Sequence, residues 1–144
     1  MTAASVLEFV TAFNAGDQRR LNGVFADAPK FKWYSVTRSA SYDHFVAHSK
    51  PALLRYFAER HARNEGLAIM HFRYQGLSRD PARGFLMGNF SYRLLRWADD
   101  IADGRPERYV GKGAVSCTSR GARLVVWSMG TPSAPDASFS VRTT

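Results

Sequence analysis

The chain has 144 residues, 45% of them hydrophobic and 13% aromatic, with a single cysteine and a formal net charge of +8. That length and composition suit one folded domain with a real core. They exclude an internal disulfide and a Cys-based zinc site, and no apolar run is long enough to span a membrane.

The opening M-T-A-A-S-V-L-E-F-V lacks a basic n-region, and Glu8 interrupts its apolar residues, so no secretory signal is expected and a cytoplasmic location is the default. Sixteen of the basic residues are Arg and only four are Lys, scattered among acids rather than gathered in blocks. Such a surface attracts anions in general through its long-range field. Without a basic helix, a finger or an RNA-binding aromatic motif, nucleic acid is not the expected partner.

Val6, Phe9, Val10 and Phe13 recur at helical spacing, and Gly16 is the residue to close that helix. Asp17 can cap a second, short helix that buries Leu21, Val24 and Phe25. Asp27-Ala28-Pro29 ends it, because proline disfavours helix in the residue before it. Phe31–Thr37 reads as a strand, rich in aromatic and β-branched residues. Arg38–His48 is a loop or short hairpin. Ser49-Lys50-Pro51 opens a third helix, with Ser49 as its cap, running to about Asn64 and ended by Gly66. Sheet follows: Leu67–Leu77, a turn at Ser78–Arg83, Phe85–Trp97, a polar loop from Asp99 to Pro106, then Glu107–Thr118 and Ala122–Met129 as a hairpin. Residues 1–130 form the domain. The tail 131–144 is low in complexity, with Phe139 and Val141 as its substantial apolar anchors, and is expected to pack on the domain or on a partner.

Helix, short helix, strand, helix and then four consecutive strands is the element order of the nuclear transport factor 2-like superfamily. The chain also resembles that group in F-N-A-G-D (Phe13–Asp17), F-A-D (Phe25–Asp27), V-G-K-G-A (Val110–Ala114) and V-V-W-S-M-G (Val125–Gly130). It is most similar to the SnoaL-like and ketosteroid isomerase-like members. The resemblance implies an α+β fold: a cone-shaped, curved antiparallel sheet packed on three helices from the N-terminal half, an NTF2-like or cystatin-like roll. It also implies a mostly apolar pocket and frequent homodimers through the sheet. The isomerases' carboxylate base would fall near Trp33, between Lys32 and Tyr34, where this chain has no acid. Their first-helix tyrosine is matched only by Phe9 and Phe13. The expected function is therefore binding of a small hydrophobic, oxygen-bearing compound. Cofactor-independent isomerase, cyclase or lyase chemistry stands as an extension, and a protein-interaction or assembly module using the sheet face as the alternative.

Strand alternation sorts the side chains that carry this expectation. Ala68, Met70, Phe72 and Tyr74 form one set, and Ile69, His71, Arg73 and Gln75 the other; Phe90, Tyr92 and Leu94 oppose Asn89, Ser91 and Arg93. With the apolar sets inward, Tyr74 and Tyr92 either offer hydroxyls to a pocket or bond to backbone in the core. His71, Arg73, Asn89 and Arg93 belong to a solvated or dimer surface, unless a bulge turns His71 and Arg73 inward as a base and an anion clamp. Lys112, between Gly111 and Gly113, is suited to an anion or carbonyl, or to an ion pair with the Asp99–Asp103 loop. His71 as base, with Tyr92 or Lys112 stabilising negative charge, is the candidate catalytic set. Trp33, Tyr74 and Trp127 are the candidate pocket wall, although either tryptophan also suits plain core. His44, His48 and His61 lack ligand spacing, so neither a metal nor another cofactor is expected. Ser35 and Ser128 lack the context of a nucleophile, and Cys117 reads as a small buried hydrophobe.

Overall fold

The computed structural model describes residues 2–36, 42–99, 106–117 and 121–130. Thr37, the loop residues 100–105 and 118–120, and the tail 131–144 lie outside the described residues. Helix α1 (Thr2–Ala15) buries Val6, Phe9, Ala12 and Phe13, one stripe of its 3.6-residue period. Gly16 closes it at φ 66°. Asp17 then caps α2 (Gln18–Val24), accepting the Arg20 N–H at 3.1 Å. Strand β1 (Phe25–Val36) follows without a loop and begins earlier than expected. Pro29 is tolerated because the pairing of β1 is irregular between Phe25 and Lys30.

Strand β2 (Tyr42–Ala47) returns antiparallel to β1, so the ambiguous segment is a hairpin. Helix α3 (Lys50–Ala62) starts with Ser49 at the cap position, but that side chain makes no capping hydrogen bond. Its end, at Ala62, also comes about two residues earlier than the sequence suggests. Asn64, not Gly66, takes the left-handed conformation, with φ 56°. Strands β3 (Gly66–Arg79), β4 (Leu86–Trp97), β5 (Glu107–Cys117) and β6 (Leu124–Met129) complete the chain.

The sheet order is β2-β1-β6-β5-β4-β3. All neighbours pair antiparallel except β1 with β6, which run parallel, so the curved sheet is mixed and does not close. The three helices cover one face. Asn14 fastens α1 to β3, its amide oxygen accepting from Leu67 N at 2.8 Å and its amide nitrogen donating to Leu67 O at 2.9 Å. No helix among the described residues is long and apolar enough to cross a membrane.

Between helices and sheet the side chains are mostly aromatic. Phe9 meets Trp127 with ring centroids 4.7 Å apart, Phe31 stacks on Trp33 at 5.6 Å, and Tyr92 stacks on Trp127 at 4.5 Å. Phe13, Phe25 and Phe57 fill the space between them, each at most 1% exposed. Each large ring removes on the order of 150–250 Å² from water, and together they pack the cone's interior.

Candidate functional site

Two short features decide which side chains reach which face of the sheet. The first is G-K-G in β5. Gly111 lies opposite Tyr92, and Gly113 lies opposite Phe90. Both rings lie flat across the strand on the inner face, and a Cβ at either glycine would collide with the ring and with the backbone of β6. The glycines thus serve core packing, and the period of two places Lys112 between them on the outer face.

The second feature is a pair of irregularities in β3. Pairing with β4 shifts between Met70 and Arg73, where His71 adopts φ 50°, and again between Tyr74 and Leu77, where Gly76 adopts φ 91°. Each inserts an extra residue and resets the alternation. Before the first bulge, Leu67 and Ile69 face the helices, while Ala68 and Met70 face outward opposite Leu95 and Arg93. After it, Phe72 and Tyr74 face inward and Arg73 outward, opposite Ser91. The strict alternation read from the sequence therefore holds only beyond His71. The bulge leaves the His71 side chain outside, so it does not become an interior base.

Three of the anticipated site residues are interior. Trp33 and Trp127 are 0% exposed, line neither of the two hollows described below and pack in the core. Tyr92 is 2% exposed, and its hydroxyl donates to the Ser128 carbonyl at 3.1 Å. Burial pushes its pKa upward, so the phenol is both engaged and hard to ionise. This is the backbone-bonded core tyrosine of the two alternatives.

On the outer face, an open groove of roughly 650 Å³ is bordered by His71, Arg73, Ser91, Arg93, Lys112 and Ser128. The groove gathers the candidate catalytic set in name, since Tyr92 and Gly111 lie in its floor. The Tyr92 hydroxyl, however, is bonded on the core side. Lys112 makes no ion pair among the described residues, and Asp99 instead accepts from Asn64 at 2.9 Å. The proposed bond from Lys112 to that loop is absent as far as the loop is described.

On the inner face, beyond the packed interior, the sheet's far end forms a cup of roughly 570 Å³. Phe72, Tyr74, Leu77, Leu86, Val115 and Cys117 line it, with Ala3 of α1 at its rim. Phe72 stacks on Phe90 with centroids 5.4 Å apart, joining the cup to the core. Tyr74 is 54% and Leu77 60% exposed, unusual for residues on an inward face. Cys117 is exposed rather than buried, because it sits at the end of β5, past the helices. Of the residues expected at a pocket, Tyr74 alone lies here. The alternation places Phe72 on its face, whereas nothing in it points to Leu77 or Leu86 as pocket residues. A second bulge at Gly76 is what turns Leu77 inward, and a lone glycine in a strand was the available signal. Among the described residues no cluster of His, Cys, Asp or Glu is arranged to hold a metal. The side chains of Ser35 and His44 lie outside what the structure describes.

Neither a sequence-family profile nor a curated protein matches the chain. Solved structures do. A protein of unknown function with a cystatin-like fold from Nostoc punctiforme is 15% identical over 92% of this chain and 90% of that one, with a TM-score of 0.65. A Streptomyces avermitilis protein described as a candidate dehydratase of the NTF2-like family is 11% identical, covering 92% and 94%, at 0.61. A chain of the yeast complex of the deubiquitinase Ubp3 with its cofactor Bre5 is 7% identical, covering 91% and 95%, at 0.65. At these identities the likeness establishes the fold: the architecture is NTF2-like and cystatin-like. Function has to be argued from the sites.

Proposed function

We propose that this chain is a binding protein that holds a small hydrophobic, oxygen-bearing compound in the apolar cup at the wide end of the sheet. The observation that carries the reading is the cup itself, a concave apolar surface continuous with the core and furnished with one phenol, Tyr74. Its volume falls within the range of about 300–1,000 Å³ usual for small-ligand sites. Binding there would cover Tyr74, Leu77 and Leu86, three of the exposed large hydrophobic residues, and each fully buried aliphatic side chain contributes about 1.5–3 kcal/mol.

Proton-transfer chemistry of the isomerase, cyclase or lyase kind finds little support in this arrangement. The described residues lining the cup include no His, Lys or carboxylate. His71 and Lys112 stand across the sheet from it, and the Tyr92 hydroxyl is already spent on the Ser128 carbonyl. The reading is therefore binding without catalysis.

Nile red, a neutral solvatochromic dye, provides the test. The wild-type chain is expected to bind it with a blue shift. The double variant Leu77→Glu/Leu86→Glu, with unchanged far-UV circular dichroism, should bind it at least about tenfold more weakly, the loss of buried apolar area. Tyr74→Phe should weaken displacement by benzophenone by about two- to tenfold, the worth of one hydrogen bond. Equal dye affinity in the wild type and the double variant would remove the cup as the site.

A further inference from the structure

We propose that the outer face of the sheet carries a second site, for a small phosphate-type oxyanion, centred on Lys112 and flanked by Ser91 and Ser128. It lies on the opposite face from the cup and does not depend on what the cup holds.

The site is written in the pairing register. Lys32 of β1 is the partner of Ser128 in β6, Ser128 of Lys112 in β5, Lys112 of Ser91 in β4, and Ser91 of Arg73 in β3. Direct partners share a face, so base, hydroxyl, base, hydroxyl and base form one row across five strands. With strands about 4.8 Å apart, successive cations stand about 10 Å from one another with a hydroxyl between each pair. Arg93 and His71 border the same groove beside the row.

These cations are unspent. Most carboxylates among the described residues are committed elsewhere: Glu8 to Arg20, Asp27 to Lys50, Asp80 to Arg83, and Glu65 and Glu107 to Arg96, while Asp17 caps α2, Asp99 accepts from Asn64 and Glu59 stands on α3. Among the described residues, Lys32, Arg73, Arg93 and Lys112 make no ion pair, and no described acid lines the groove. Like charges gathered on one sheet face repel and oppose folding, and a bound anion removes that cost. The neutral groups suit the same ligand. Gln75 Nε2 donates to Ser91 Oγ at 3.0 Å, so the Ser91 hydroxyl proton remains available to a ligand. Lysine supplies a point charge and arginine a planar fork for phosphate-type oxygens.

The alternatives fit less well. Single-stranded nucleic acid needs a run of aromatic platforms for its bases, whereas among the described residues at this groove Tyr92 has its ring on the core side and only His71 presents an exposed ring. A second copy meeting this face across a two-fold axis would set the basic row against itself. That argues against the sheet-to-sheet homodimer implied by the family resemblance, at least across this groove.

Calorimetric titration with inorganic pyrophosphate tests the site. One binding event per chain is expected at physiological salt. Lys112→Gln should weaken it about tenfold or more, as losing a charge-assisted hydrogen bond does. Lys30→Gln is the control: it removes the same charge from the same face, but from a position opposite Val126 rather than in the row. It should cost less than about twofold through the screened field alone. In the unmutated chain, amide shifts on titration should cluster at Ser91, Lys112 and Ser128, a readout independent of any variant's folding. Equal losses for Lys112→Gln and Lys30→Gln would reduce the site to diffuse charge and overturn it. So would tighter, steeply salt-dependent binding of an oligothymidylate or an acidic peptide, or failure of pyrophosphate to bind because a dimer covers the groove.

Discussion

The two ends of strands β3 to β5 invert the usual distribution of polarity, in opposite senses. At the closed end, charges are inside. Glu65 Oε2 accepts from Arg96 Nε at 2.7 Å and pairs with its Nη2 at 2.6 Å, Arg60 approaches the same oxygen at 3.4 Å, and Arg96 Nη1 reaches Glu107 Oε1 at 2.6 Å. Tyr109 donates its hydroxyl to that same Glu107 oxygen at 2.8 Å. At the open end, apolar side chains are outside, on the rim of the cup. Buried charge that is paired costs desolvation and then holds a geometry, whereas exposed apolar surface that is unpaired stores binding free energy. One end is built to stay shut, and the other keeps a surface free to be covered.

The sharpest way to break this contrast is to remove the carboxylate at the closed end. Glu65→Gln leaves two guanidinium groups facing each other in the interior. Burial works against the Arg96 charge, but Glu65 and then Glu107 outweigh it and hold its pKa above the ordinary value. The expected loss is about 3–5 kcal/mol in denaturant-induced unfolding, the usual cost of removing one partner from a buried ion-pair network. Substitutions at the open end such as Leu77→Ser should stay within about 0.5 kcal/mol in the same measurement, as at other exposed positions. Equal losses at the two ends would show that the cup is structural rather than a binding surface.

Gly111→Ala sharpens the contrast from the middle of the sheet. A methyl group there meets the Tyr92 ring and the Ser128 carbonyl, and backbone cannot yield as a flexible side chain can. Overpacking of this kind costs about 1–3 kcal/mol. The hydrogen bond from Tyr92 to Ser128 should break, and a ring pushed out of the core would lose the burial that holds its pKa up, so its phenol should ionise at lower pH than in the wild type in a spectrophotometric alkaline titration. Because Gly111 is remote from the cup lining, dye binding should persist in whatever fraction remains folded.

The fold was legible because its signals are local and redundant. The helical spacing of Val6, Phe9 and Phe13, the Gly16-Asp17 step and the aromatic strand around Trp33 each specify an element without reference to the others. The cup and the groove were only partly legible, because both depend on register, which is non-local. A strand read with a strict period of two assigns faces correctly until a bulge, and His71 carries no sequence mark of one. The G-K-G stretch pointed to close approach, but not to which rings approached. The row from Lys32 to Arg73 appears only when five strands are set side by side, and the packing of Trp33 and Trp127 against Phe9, Phe13 and Phe31 requires their three-dimensional partners.

The smallest expected effect concerns the bulge that separates the two ends. His71 holds φ at 50°, a left-handed conformation that costs an L-residue about 1–2 kcal/mol. Glycine removes that cost but adds about 0.5–1 kcal/mol of chain entropy. His71→Gly should therefore stabilise the protein by about 0.5 kcal/mol, or one to two degrees in Tm for a domain of this size. The side chain is exposed and makes no described hydrogen bond, so no packing term offsets the gain. A stabilising change at an exposed residue implies that the histidine is retained for something other than folding, and it borders the groove around Lys112. The same variant should then bind pyrophosphate about two- to tenfold more weakly, the worth of one hydrogen bond to the ligand. A variant that is more stable yet binds pyrophosphate equally would leave the anion site to Lys112 and the arginines; one that is less stable would show that the bulge depends on the histidine itself.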